Sequence, residues 1–125
     1  MAVSRKEAQA IITENLRYFS DQLDDRTAFK SGPNVAARDE SWWMKYSDNE
    51  APDTDRSKAL LRAYATIGGE RLWAIGIPLS DRQRLYMDRS VMRRLAQGHF
   101  VRWTQPEKGE PYFALTEAGK ALLSD

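Results

Sequence analysis

The 125 residues contain no cysteine and a single histidine, His99. Without cysteine there are no disulfides and no thiol nucleophile, and without a second histidine there is no candidate zinc site or nucleophile–histidine pair. No apolar run approaches the ~18 residues a membrane span requires, and the opening MAVSRKEAQA carries no apolar signal block. A cytoplasmic protein that does not enter a membrane is expected. The chain also lacks G-x-x-x-x-G-K-[ST], and its carboxylates are scattered rather than paired on one face. These absences predict no enzyme activity, no metal and no cofactor. Neither sign of charge dominates, since 19 Lys/Arg stand against 18 Asp/Glu.

That balance hides an asymmetry. Residues 1–56 hold 8 Lys/Arg against 11 Asp/Glu, and residues 57–125 hold 11 against 7. The basic excess falls on the half whose pattern suits a nucleic-acid module. Two parts are expected, an N-terminal helical extension and linker over 1–56 and a second domain over 57–125.

In the first part Ser4 and Glu7 form a capping box, and Ala8, Ile11, Ile12, Leu16, Phe19 and Leu23 recur at helical spacing. A helix from about 5 to 20 follows, with its apolar stripe either on the body of the chain or in a dimer seam. Residues 30–34 read as a turn. Val35 to Ser47 is compatible with a helix carrying Trp42 and Trp43, of which at most one sits centrally in a core. The other is either half-buried beside it or an anchor for a protein partner, as tryptophan often is. Residues 48–55 read as an acidic linker broken by Pro52.

In the second part Asp55 or Ser57 caps a helix striped by Leu60, Leu61, Tyr64 and Ile67, which Gly68-Gly69 ends. Leu72 to Ile77 fits a short helix or a first sheet strand. Ser80 and Gln83 make a second capping box for a helix over 80–97. On that helix Leu85, Val91, Met92, Leu95 and Ala96 share one sector. Arg82, Gln83, Tyr86, Ser90, Arg93 and Gln97 lie opposite, flanked by Arg89 and Arg94. Asp88 falls among the apolar residues. Either the helix breaks near Met87-Asp88 and Asp88 caps a second segment, or Arg84 and Asp88 pair at the margin. The free amides of the first turn, Ser80 to Arg84, would suit a phosphate.

Gly98 stops this helix. His99 to Trp103 reads as a strand, with His99 half-buried at its start; 104–109 is a turn, 110–115 a returning strand, and 116–123 a closing helix. The run Arg94-Leu95-Ala96-Gln97-Gly98-His99-Phe100-Val101-Arg102, followed by Ala114-Leu115-Thr116-Glu117-Ala118-Gly119-Lys120-Ala121-Leu122-Leu123, resembles the winged-helix regulators of the MarR and PadR kind. The likeness is close over these two runs and looser from Ser57 onward.

It implies an α+β, mostly helical fold, a winged helix-turn-helix with an N-terminal helical extension. The implied function is transcriptional regulation on double-stranded DNA, as a homodimer through the N-terminal helices. Arg82, Gln83 and Arg84 would read bases, with Ser80 and Tyr86 beside them. Arg89, Arg93 and Arg102 would hold phosphates, and Lys108 would serve the wing. The near-zero net charge and a wing with Glu107 and Glu110 motivate a rival. In it the same fold binds a protein through Trp42 and Trp43, as an adaptor or inhibitor of the sort encoded by phages and mobile elements.

Overall fold

A computed structural model describes residues 3–18, 29–46, 53–80 and 82–124. Five helices and six short strands occur among the described residues, in an α+β arrangement. In chain order they are α1 (Arg5–Tyr18), β1 (Phe29–Ser31), α2 (Ser41–Met44), α3 (Thr54–Gly68), β2 (Arg71–Trp73), β3 (Ile77–Pro78), β4 (Gln83–Leu85), α4 (Arg89–Gln97), β5 (Val101–Thr104), β6 (Tyr112–Leu115) and α5 (Glu117–Ser124). The strands form two antiparallel sheets, ordered β1-β4-β3 and β2-β6-β5. No helix among the described residues is long and apolar enough to cross a membrane.

Helix α3 is the centre. It begins earlier than the sequence suggests, because Asp53 is the residue whose side chain accepts from the Arg56 amide, at 2.8 Å. Its Ser57, Leu60, Leu61, Ala63, Tyr64 and Ala65 are buried, more than a one-sided stripe would give. The reason is that α1, α4, α5, β2 and β3 all pack around it. The Ser4 cap of α1 is present, with the Glu7 amide donating to Ser4 Oγ at 3.1 Å. Ala8 and Ile12 face α3, so that part of the apolar stripe meets the chain's own core. The stripe positions Phe19 and Leu23, the side chain of Leu16, Ser47 and residues 48–52 of the expected linker lie outside the described residues.

Three expected helices are not formed as such. Among the described residues of the expected 35–47 helix only α2 is helical, and Val35 is 65% exposed. Two side chains break the segment. Asn34 Oδ1 accepts from the Ala36 amide at 3.2 Å, and Asp39 Oδ1 accepts from the amide and hydroxyl of Ser41. The Ser41 contacts hold the Asp39 carboxyl below the usual carboxylate range. In Leu72 to Ile77 the strand alternative holds for the first two residues, as β2 pairs Leu72 with Phe113 of β6, and Ile77 begins a strand of the other sheet.

The third is the helix over 80–97, which starts only at Arg89. Positions 77–85 form a β-hairpin instead, with Ile77 opposite Leu85 and the Leu79 amide donating to the Gln83 carbonyl at 2.9 Å. The Ser80–Gln83 spacing therefore closes a turn rather than capping a helix. Extended backbone buries Leu85 and Met87 at alternate positions, and β1 covers Leu85 from its other side through Phe29. A helix there would have placed Asp88 in the core.

The end of α4 meets the start of α5 at one junction. The Phe100 amide donates to the Leu95 carbonyl at 3.0 Å and the His99 amide to Ala96 at 3.1 Å, a Schellman ending with His99 at φ 63°. His99 is accordingly exposed, not the half-buried strand residue expected. Thr116 accepts from the Gly119 amide at 3.1 Å and donates to the His99 carbonyl at 2.6 Å. Gly119 is buried directly against the Phe100 carbonyl. The Leu-Thr-x-Ala-Gly corner thus locks α4, β5 and α5 together.

Candidate nucleic-acid interface

The N-terminus of α4 is already occupied by its own chain. Asp88 Oδ1 accepts from the amides of Ser90 at 3.0 Å and Val91 at 3.4 Å, and from the Ser90 hydroxyl at 2.7 Å. Its other oxygen, Oδ2, accepts from Asn15 Nδ2 of α1 at 3.0 Å, and the Asp88 amide donates to the Tyr64 hydroxyl at 3.0 Å. This carboxylate satisfies the first-turn amides and cancels the helix's attraction for an anion. Asp88 as the cap of a separate segment was one of the two arrangements the sequence allows. The expected phosphate seat on the amides of Ser80 to Arg84 does not exist, because those residues form the hairpin.

The base-reading set consequently lies on β4 and its turn rather than in a helical first turn. Ser80, Arg82 and Gln83 are exposed. With Ser31, Gly32 and Pro33 they line an open cleft of about 450 Å³. Arg84 is half-buried and donates from Nη1 to the Gly76 carbonyl at 3.1 Å. Tyr86 donates its hydroxyl to the Gly32 carbonyl at 2.6 Å, and burial raises its phenol pKa against the opposing charge of Arg84. Gly76 at φ 125° lets both side chains cross it closely, since a Cβ there would stand 2.9 Å from Arg84 Cβ. Arg84 and Tyr86 thereby hold the hairpin in place, and Arg82 and Gln83 are the side chains presented outward.

Helix α4 buries Ser90, Val91, Met92 and Leu95 and turns Arg89, Arg93 and Gln97 outward. Helix α2 lies against it. The Arg89 guanidinium sits 4.9 Å from the Tyr46 ring centroid and 5.9 Å from that of Trp42, and Arg93 Nε donates to the Met44 carbonyl at 3.2 Å. Both tryptophans are buried, Trp42 to 4% exposure and Trp43 to 8%. The expectation that only one could be central fails because α2 is a single turn wedged between α4 and the β2-β6-β5 sheet. Trp42 meets Phe113 at 6.5 Å, while Trp43 meets Phe113 at 5.6 Å and Trp103 at 6.3 Å. Neither ring is displayed as a partner's anchor; the exposed apolar residue of α2 is Met44, at 52%.

The β5–β6 hairpin divides the remaining cations. Arg102 is exposed between inward-facing Val101 and Trp103, so it lies on the face of the sheet directed away from the core. Lys108 is exposed on the turn between β5 and β6, where Glu110 is held by Arg38 at 2.9 Å. The structure brings Arg82, Gln83 and Arg84 together on the hairpin and Arg89 with Arg93 on α4, and sets Arg102 on another surface. Of the residues that organise this region, Asp88 and Tyr64 are named by the sequence reading, as a candidate cap and as part of the α3 stripe, and Asn15 is not. The aspartate two residues before Ser90-Val91 carried a capping signal, but the buried Asn15 carried none. Among the described residues, no group of three or more His, Asp and Glu side chains stands together as a metal site. Compared with protein-family models, with curated proteins and with solved structures, the chain matches none of them.

Proposed function

We propose that the chain is a winged-helix-type DNA-binding protein acting in transcriptional regulation, with the β3–β4 hairpin standing where the first helix of a helix-turn-helix would be. The observation that carries this reading is the charge between positions 82 and 94. Arg82, Arg84, Arg89, Arg93 and Arg94 fall there, and the one carboxylate in the stretch, Asp88, is turned inward on the α4 amides. Guanidiniums in this number attract the phosphate backbone of a duplex, and exposed Arg82 and Gln83 have the donors that read guanine and adenine edges. The expected homodimer would draw on α1 and its groove against α3, lined by Ala10, Ile11, Ala59 and Leu60; light scattering measures it.

Selection of binding sites from a random duplex pool, followed by anisotropy titrations across salt concentrations, tests the reading. Arg82→Ala is expected to cost about 1–3 kcal/mol and to relax preference at one base position. Arg93→Ala weakens all duplexes alike and lowers the salt slope by about 1. Absence of duplex binding at about 50 mM salt sinks the proposal.

A protein-binding role is favoured by one observation, the α2 turn laid along α4 so that Arg89 and Arg93 already have protein partners and Met44 is exposed beside them. A partner captured after nuclease treatment, and lost on Met44→Asp, would establish that reading. Substituting Trp42 or Trp43 would instead unseat core.

A further inference from the structure

The β2-β6-β5 sheet has a second face that the duplex reading leaves unused. Alternation sends Leu72, Val101, Phe113 and Leu115 into the core, which turns Arg71, Trp73, Tyr112, Ala114, Arg102 and Thr104 the other way. Register sorts these six into two rows, Arg71–Ala114–Arg102 and Trp73–Tyr112–Thr104. In the first row two exposed arginines stand two strand spacings apart, about 10 Å, with only the alanine methyl between them. In the second, Trp73 meets Tyr112 edge-on, with centroids 5.2 Å apart and planes at 61°. The Arg71 guanidinium covers the Tyr112 ring, 5.2 Å from its centroid, and so links the rows.

No carboxylate occupies any of the six positions. Of those nearest in sequence, Glu70 pairs with Lys120 at 3.7 Å and Glu110 with Arg38 at 2.9 Å, while Glu107 stands on the turn beyond Thr104. The face therefore combines uncompensated positive charge with a layered ring and guanidinium. An acidic peptide would use the charge and leave the aromatic stack idle. A polyanion that carries its own flat rings uses both.

We propose that this outer sheet face binds single-stranded nucleic acid. Bases stack on Trp73 and on the guanidinium of Arg71, while Arg102 and Arg71 hold phosphates on either side of Ala114. The site is separate from the hairpin and α4, and does not depend on duplex binding there.

The test is anisotropy of a labelled oligothymidylate about 12 nucleotides long, titrated with the full chain at low salt. The Arg71→Ala/Arg102→Ala double variant alters only exposed side chains and should keep the parent's thermal melt. It is expected to weaken the single strand about tenfold or more. Trp73→Leu should weaken it by a similar factor, and Arg82→Ala should leave it unchanged. The proposal is overturned by no binding of the oligothymidylate, by equal binding by the double variant, or by loss of single-strand binding in Arg82→Ala, which assigns it to the hairpin. Equal competition by an acidic peptide of matched charge also overturns it and assigns the face to an acidic protein.

Discussion

Asn15 of α1 donates its amide to Asp88 Oδ2 at 3.0 Å, across 73 residues of chain, and so ties the first helix to the start of α4. Asn15 is buried, and its Oδ1 has no partner among the described residues, so the bond to Asp88 is the main compensation for burying that amide. Asp88→Ala removes the cap of α4 and strands the Asn15 donor at once. A loss of about 2–4 kcal/mol is expected, of which the cap is about 1. Asn15→Leu alone should cost less, and the pair should couple by about 1 kcal/mol in a double-mutant cycle. Urea midpoints at constant slope measure each term, and purely additive losses would show that the two residues do not act together.

Gly119 is the tightest point of the closing corner. A methyl added there would overlap the carbonyl oxygen of Phe100, which is backbone and cannot rotate away, and which also accepts from the Thr116 amide at 3.2 Å. Gly119→Ala is expected to destabilise by about 3 kcal/mol, against the small gain alanine usually brings inside a helix. The neighbouring Thr116→Val tests the cap, at about 1 kcal/mol. A Gly119→Ala protein as stable as its parent in thermal and urea melts would mean that α5 sits elsewhere.

How much of this was legible depended on whether the deciding partner was near in sequence. From Arg89 onward the signals are local. The Asp88 cap, the Gly98 stop, the alternation of Val101 to Trp103 and the Thr116 cap each act within a few residues, and these elements appear where the sequence places them. The hairpin over 77–85 was misread as helix because Ser80 and Gln83 have capping-box spacing and Leu85 suits a helical stripe. What decides is β1, which arrives from about 50 residues upstream and pairs Phe29 with Leu85. The same holds for Trp42 and Trp43. One helical turn cannot bury two adjacent rings by itself, and it does so here because α4 and the β2-β6-β5 sheet approach it from two sides. The candidate interface shared this limit: its residue types were readable, but their sorting onto a hairpin, a helix and a separate sheet face was not.

His99 holds the left-handed position that ends α4, at φ 63°, where glycine is the usual occupant. Its side chain is exposed, so nothing in the core is lost by removing it. His99→Gly is expected to stabilise by about 0.5 kcal/mol, the relief of strain exceeding the extra freedom of the unfolded chain. His99→Val, β-branched at the same position, should destabilise by about 1 kcal/mol or more. Thermal melts of the two variants should shift in opposite directions, and a common direction would remove backbone strain as the cause.

Tyr64 makes the fold sensitive to alkali. Complete burial pushes its phenol pKa far above the ordinary value, the nearby Asp88 charge adds to the rise, and the Asp88 amide bonded to its oxygen opposes it. The folded chain therefore keeps this proton to a higher pH than the unfolded chain, whose tyrosines titrate near about 10. A raised folded pKa means the contribution is fully present below about pH 10 and falls above it, by about 1.4 kcal/mol per pH unit for one such group. Tyr86, also raised, acts in the same direction but is only half-buried. Tyr64→Phe should be about 1–2 kcal/mol less stable at neutral pH, because the Asp88 amide loses its acceptor. Above about pH 10 the variant's stability should fall less steeply than the parent's. Denaturation midpoints followed from pH 8 to 11 decide the point, and parallel declines in the two proteins would place the sensitivity in another residue.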